Sequence, residues 1–154
     1  MWFLLACRHA APVSAPSTAE DAEPALSAEA RSFYLRAEVA RGLGDVAEVE
    51  RSAEWVIRLD RTNPWAWLRA SELFLAIDRP DLAENAALEA VARRPGLSDA
   101  HRCLGIARLA AGDPASALLS LARAPGAEGV DAATIRSHLA LGDPASAAAW
   151  LVQW

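Results

Sequence analysis

The side chains that could do chemistry in this chain are few, and their spacing argues against a reaction centre. The histidines are His9, His101 and His138, and the cysteines are Cys7 and Cys103. Metal ligands on one helix must converge on one face, typically three or four residues apart. His101 and Cys103 stand two apart and point to different faces. Gly42-Leu43-Gly44 runs into a turn and lacks the rest of either phosphate-binding fingerprint. Glu20, Asp21 and Glu23, like Glu48, Glu50 and Glu54, read as solvated surface. No catalytic residue, cofactor or metal is expected. Cys103 reads as a small buried hydrophobe, and two cysteines so far apart indicate no disulfide framework.

The composition points to helices that must position something other than a reaction. The 154 residues are enough for one domain with a core. With 15 basic and 20 acidic residues the net charge is −5, which gives no basic stripe for nucleic acid. Hydrophobic residues make up 53%, much of it alanine, and no run approaches the roughly 20 apolar residues that span a bilayer. Alanine favours helix, whereas the β-branched and aromatic residues that strands prefer are scarce. The expected class is all-α.

A turn that returns four times organises the chain. It reads Gly44-Asp45-Val46-Ala47, Asp78-Arg79-Pro80-Asp81, Gly112-Asp113-Pro114-Ala115 and Gly142-Asp143-Pro144-Ala145, at spacings of 34, 34 and 30 residues. Fixed periods of this size mark stacked supersecondary units. Between the turns, Trp67, Ala70, Ser71 and Phe74 share one helical face, as do Ala83, Ala87 and Ala90 on the next helix. Asn63-Pro64 and Pro80 suit helix starts, and Asp78 is expected to cap the second helix of its pair.

The segment from Pro64 to Pro95 resembles a tetratricopeptide repeat, with Trp67, Ala70, Ser71, Phe74, Ala83, Ala87, Ala90 and Pro95 at that family's spacings. The neighbouring units match less fully. Arg36 stands where an apolar residue is usual, Arg108 stands where a ring is usual, and the third unit is four residues short. The resemblance implies a right-handed superhelix of about four helix-turn-helix units over residues 28–154, with units near 30–63, 64–97, 98–127 and 128–154. Residues 1–27 form an apolar N-terminal segment and a tether rich in Ala, Pro, Ser and acidic residues.

The resemblance also implies a function, which is to hold another protein without catalysis. In such arrays the first helix of each pair lines the concave face. By position that face takes Arg31, Tyr34, Glu38 and Arg41 from unit one, Trp65, Leu68, Arg69 and Glu72 from unit two, and Asp99, Arg102 and Ile106 from unit three. Arginine and aromatic residues dominate protein interfaces; the alternative for Tyr34 and Trp65 is packing between units. The family's carboxylate clamp pairs Asn with Lys. Glu38, Glu72 and Ile106 occupy the equivalent positions, so that mode is not expected.

Two ends add further expectations. Leu4-Leu5-Ala6-Cys7 resembles a bacterial lipobox. The resemblance implies cleavage before Cys7, lipidation of its sulfur as the only membrane attachment, and, with Arg8 following, sorting to the periplasmic side of the outer membrane. A secretory signal has a positive n-region and about 7–15 apolar residues, but only six residues precede Cys7 here. An upstream start or a chance match would explain this, and the chance match leaves a cytoplasmic protein. At the other end Trp150, Leu151 and Trp154 make an apolar terminus where solenoids usually carry a polar cap. That end is expected to dock a partner, fold back or self-associate. The leading expectation is a lipid-anchored envelope assembly factor for a pilus, secretion or outer-membrane complex. The alternatives are a soluble cytoplasmic chaperone or regulator and a permanent subunit of a large complex.

Overall fold

The four recurring turns are a single device. The first helix of each pair ends at a left-handed residue, Gly44, Asp78, Gly112 or Gly142, with φ of 74°, 58°, 86° and 73°. The N–H of the next residue then reaches the carbonyl five residues back. Asp45 donates to Ala40, Arg79 to Phe74, Asp113 to Arg108 and Asp143 to His138, each at 2.9 Å. That closure satisfies a carbonyl the helix would otherwise orphan. The aspartates also start the following helix. Asp45 accepts from the Glu48 N–H at 3.0 Å, Asp113 from Ser116 at 3.0 Å and Asp143 from Ser146 at 3.1 Å. One dipeptide therefore ends a helix and caps the next.

The second turn departs from this pattern and corrects an expectation. Asp78 is not a cap; it stands in the left-handed glycine position, and Arg79 stands where the other turns have aspartate. The helix that follows has no side-chain cap. Arg79 instead pairs with Glu50 at 2.6 Å and with Asp81 at 3.3 Å.

The computed structural model describes residues 25–152. Among these, eight helices occur and no strand: α1 (Ala28–Leu43), α2 (Val46–Leu59), α3 (Pro64–Ala76), α4 (Pro80–Arg93), α5 (Ser98–Ala110), α6 (Pro114–Leu121), α7 (Val130–Ala140) and α8 (Pro144–Val152). Ser27, assigned to the tether by the sequence, caps α1 by accepting from Ala30 N–H at 3.2 Å. Asn63 accepts from Trp65 N–H at 3.0 Å and opens α3 with Pro64 at its first position.

Each helix packs on its partner within a pair, and α1 to α7 also pack on a neighbouring pair. The core that results is rich in alanine. Ala37, Ala53, Ala70, Ala83, Ala87 and Ala107 are fully buried and let the rods approach, while Leu73, Phe74 and Leu68 fill the space between them. The Ser71 hydroxyl donates to the Ala83 carbonyl at 2.9 Å, joining α3 to α4 without leaving a buried donor unpaired. Gly105 lets α5 lie directly on Leu121 of α6.

The two arginines that depart from the repeat pattern each tie helices together. Arg36 pairs with Glu48 at 2.5 Å, linking α1 to α2. Arg108 pairs with Glu84 at 2.9 Å and donates to the Ser120 hydroxyl at 2.9 Å, linking α5 to both α4 and α6. The short third unit is visible in α6, which has 8 residues against 14 in α4.

Candidate protein-binding face

The direction of curvature follows from which helices touch. The first helices of successive pairs meet one another, α1 with α3, α3 with α5 and α5 with α7, whereas the second helices do not meet among the described residues. The stack is therefore tighter on the side of α1, α3, α5 and α7, and those helices line its inner face.

Charged side chains pair along each helix of that face, and Glu72–Arg102 joins α3 to α5. Glu38 on α1 holds Arg41 at 2.6 Å. Glu72 on α3 holds Arg69 of its own helix at 2.8 Å and Arg102 of α5 at 2.8 Å. Arg102 also approaches Asp99 at 3.4 Å. Tyr34, half-buried, sits within reach of Glu38, Arg69 and Glu72. Burial, followed by the negative charge of Glu38, pushes its phenol above the usual value. These groups form a ladder of alternating sign in which each charge is already paired, so a ligand must exchange partners rather than find bare charges.

The ladder extends to a residue the sequence reading missed. Arg136 on α7, with Glu128 and Ala132, faces Asp99, Arg102 and Ile106 across a hollow of about 400 Å³. Arg136 lies 30 residues after Ile106, the spacing of the last two turns, so it was findable by extending the register into unit four.

Two members of the expected face are corrected. Leu68 is 1% exposed and Trp65 is 9% exposed, so neither presents a side chain to a partner. Both pack with Ala87, Ala90, Ala100, Cys103 and Leu104, because α3 is an interior rod with neighbours before and after it. The Arg94 guanidinium lies 5.8 Å from the Trp65 ring, and the indole N–H is buried without an acceptor among the described residues. Arg31 and Arg41 are exposed on α1, while Ile106 is half-buried at the hollow.

The apolar C-terminal group divides into two directions. Trp150 turns inward and lines a cavity of about 530 Å³ with Leu118, Leu121, Val130, Thr134 and His138. Leu151 turns outward. Trp154 and Cys7 lie outside the described residues. His101 is buried, with its Nε2 2.8 Å from the Pro95 carbonyl. Among the described residues no three side chains converge as metal ligands, and no helix is long and apolar enough to cross a membrane.

The helix order, the shared turn and the inner row of first helices define a tetratricopeptide-like superhelix. The chain is similar to the crystal structure of MamA protein, with a TM-score of 0.66 and 17% identity over 79% of this chain and 69% of that one. It is also similar to the first tetratricopeptide domain of human RPAP3, solved by NMR, with a TM-score of 0.66 and 17% identity over 77% of this chain and 96% of that domain. A third similar structure is the first tetratricopeptide domain of Spaghetti (RPAP3) bound to the HSP90 peptide SRMEEVD, with a TM-score of 0.65 and 18% identity over 74% of this chain and 94% of that one. No protein-family model matches the sequence, and no curated protein matches it.

Proposed function

We propose that the chain is a non-catalytic adaptor that holds a segment of another protein along the inner face of α1, α3, α5 and α7. The observation that carries this reading is the row of charges on adjacent first helices, Glu38 and Arg41 on α1, Arg69 and Glu72 on α3 and Asp99 and Arg102 on α5, bridged by Glu72–Arg102 and continued by Arg136 on α7. Such a surface offers donors and acceptors at repeating intervals along an extended backbone. The similar RPAP3 domain holding an HSP90 peptide supports the mode in general terms. The acidic Glu38 and Glu72 disfavour a strongly acidic tail here, so the segment we infer carries charges of both signs.

The finer reading places this adaptor in a bacterial envelope, anchored through Cys7 on the periplasmic side of the outer membrane and assisting assembly of a pilus, secretion or outer-membrane complex. It rests on the lipobox-like Leu4-Leu5-Ala6-Cys7 alone. A soluble cytoplasmic regulator or chaperone is the reading favoured if Cys7 takes no lipid. Metabolic labelling with a palmitate analogue, with Cys7→Ala as control, separates them.

The face itself is tested by affinity capture and mass spectrometry with the native chain and with Glu72→Ala/Arg102→Ala. The variant should fold and lose the captured protein. Undiminished capture by the variant would remove the inner face from consideration.

A further inference from the structure

The gap between α5 and α7 differs from the gaps before it, and the repeat register shows why. Thirteen and ten positions before each turn start stand Arg31 and Tyr34, Trp65 and Leu68, Asp99 and Arg102, and then Gly129 and Ala132. Three units fill these positions with larger side chains, and the fourth leaves them almost empty. A Cβ built on Gly129 would meet nothing within 4 Å, and Ala132 is exposed. The result is the hollow of about 400 Å³ lined by Ile106, near the lower end of the ~300–1,000 Å³ range of ligand pockets. Its two walls are α5 and α7 themselves, so it does not depend on what precedes α1 or follows α8.

The charges around the hollow are sorted lengthwise. Asp99 and Glu128 stand at the starts of α5 and α7, and Arg136 stands about two turns farther along α7, at the register position of Ile106. Arg102, between them, is held by Glu72 and Asp99. Arg136 and Glu128 have no ion pair among the described residues, unlike Glu38, Arg69 and Glu72 farther along the face. From Glu128 to Arg136 the backbone advances ~12 Å at about 1.5 Å per residue. An extended segment covers that distance in about three or four residues, at ~3.3 Å each.

We propose that this hollow is the anchoring subsite for the partner's segment, and that it takes a small apolar side chain flanked on one side by a basic residue and on the other by an acidic one. The basic residue answers Glu128 and Asp99, the acidic residue answers Arg136, and the two stand about three or four positions apart. Ile106 and the Ala132 methyl supply the apolar contact. Arg136 and Glu128 together fix which end of the segment faces which end of the hollow, since the reversed placement would bring like charges together. This inference rests on the inner-face reading and adds to it a stretch where charges await a partner instead of already holding one.

The experiment pans a randomised peptide display library on the immobilised full chain and on its Arg136→Glu, Ala132→Phe and Glu72→Ala/Arg102→Ala variants. Arg136 and Ala132 are exposed, so circular dichroism should show unchanged helix in both of their variants. Peptides enriched by the native chain should share an apolar residue between one basic and one acidic residue. In a synthetic copy of such a peptide, exchanging the acidic residue for lysine should weaken binding to the native chain about tenfold in fluorescence anisotropy, and Arg136→Glu should restore it. Ala132→Phe, which fills the hollow, should lose the same peptides. Peptides lost with Glu72→Ala/Arg102→Ala but indifferent to Arg136→Glu and Ala132→Phe would overturn the subsite and leave the inner face standing. Peptides indifferent to all three variants would overturn both. A native chain that enriches no peptide would overturn the subsite, and the affinity capture would then decide the inner face by itself.

Discussion

Replacing Gly105 by alanine tests whether close helix approach, rather than turn chemistry, governs this core. A Cβ at Gly105 would lie 2.6 Å from Leu121 Cγ, 2.7 Å from its Cδ2 and 3.2 Å from the Ala117 carbonyl oxygen. Leu121 lines the cavity beside Trp150, but the atom approached at 2.6 Å is its branch carbon Cγ, which a turn about χ2 does not move, and the Ala117 carbonyl oxygen belongs to the backbone, so α5 and α6 must shift apart or Leu121 must leave its χ1 rotamer. Overpacking of this kind costs ~1–3 kcal/mol, and the better helix propensity of alanine returns up to ~1 kcal/mol. The expected result is a net loss of about 1–2 kcal/mol, a fall of roughly 0.5–1 M in the urea midpoint for a chain of this size. Gly42 is the control, since it is helical and a Cβ added there would meet nothing within 4 Å. Gly42→Ala should therefore raise stability by about 0.5 kcal/mol on propensity alone. The same substitution is thus expected to act with opposite sign at two sites. Urea titrations followed by circular dichroism at 222 nm give both values. In Gly105→Ala/Leu121→Ala the clash is relieved, so the double variant should lose less than the two single losses added together. A Gly105→Ala midpoint at or above the native one would refute the packing account.

Three further outcomes follow from the turns and the core. Asp78 holds a left-handed φ of 58° where the other three turns have glycine, so Asp78→Gly should stabilise by ~0.5–1 kcal/mol in thermal or urea unfolding; a destabilised variant would show that the aspartate is held there by another contact. Hydrogen bonds from the Ser116 and Ser146 hydroxyls and backbone N–H groups hold Asp113 and Asp143 below the usual carboxylate range. Their contribution is present above that range and is lost as pH falls through the depressed native values, so Asp113→Ala/Asp143→Ala should flatten the acid limb of a stability–pH curve. Burial pushes the Cys103 thiol up to about 12 from 9.0. Stability from this group is complete below pH 9 and is lost as pH rises from there toward 12. In a Cys7→Ser background the thiol should resist a chromogenic disulfide at pH 8 until urea unfolds the chain; rapid reaction in the native state would contradict its burial.

Local chemistry wrote most of the architecture into the sequence. Each Gly-Asp pair bonds only to residues two to five positions away, so the helix breaks and restarts at Gly44, Gly112 and Gly142 could be read without knowing what packed where. The all-helical class and the small-residue positions Ala70, Ser71, Ala83 and Ala87 followed from periodicity for the same reason. Asp78 was misread because aspartate suits both a helix start and a left-handed turn, and only its register against Gly44, Gly112 and Gly142 separates the two.

Burial across units could be decided only by the tertiary structure. Trp65 and Leu68 carry the residue types of an interface, yet α3 has rods on both sides and draws them into the core. Arg36 and Arg108 looked like lapses in the repeat until Glu48, Glu84 and Ser120 came within reach from other helices. Val39 shares its register position with Leu73, and Leu151 shares its with Leu121, yet Val39 and Leu151 are exposed where the other two are buried. Periodicity assigns a residue to a face, but whether that face meets water or another helix depends on the neighbour, which lies a full repeat away along the chain.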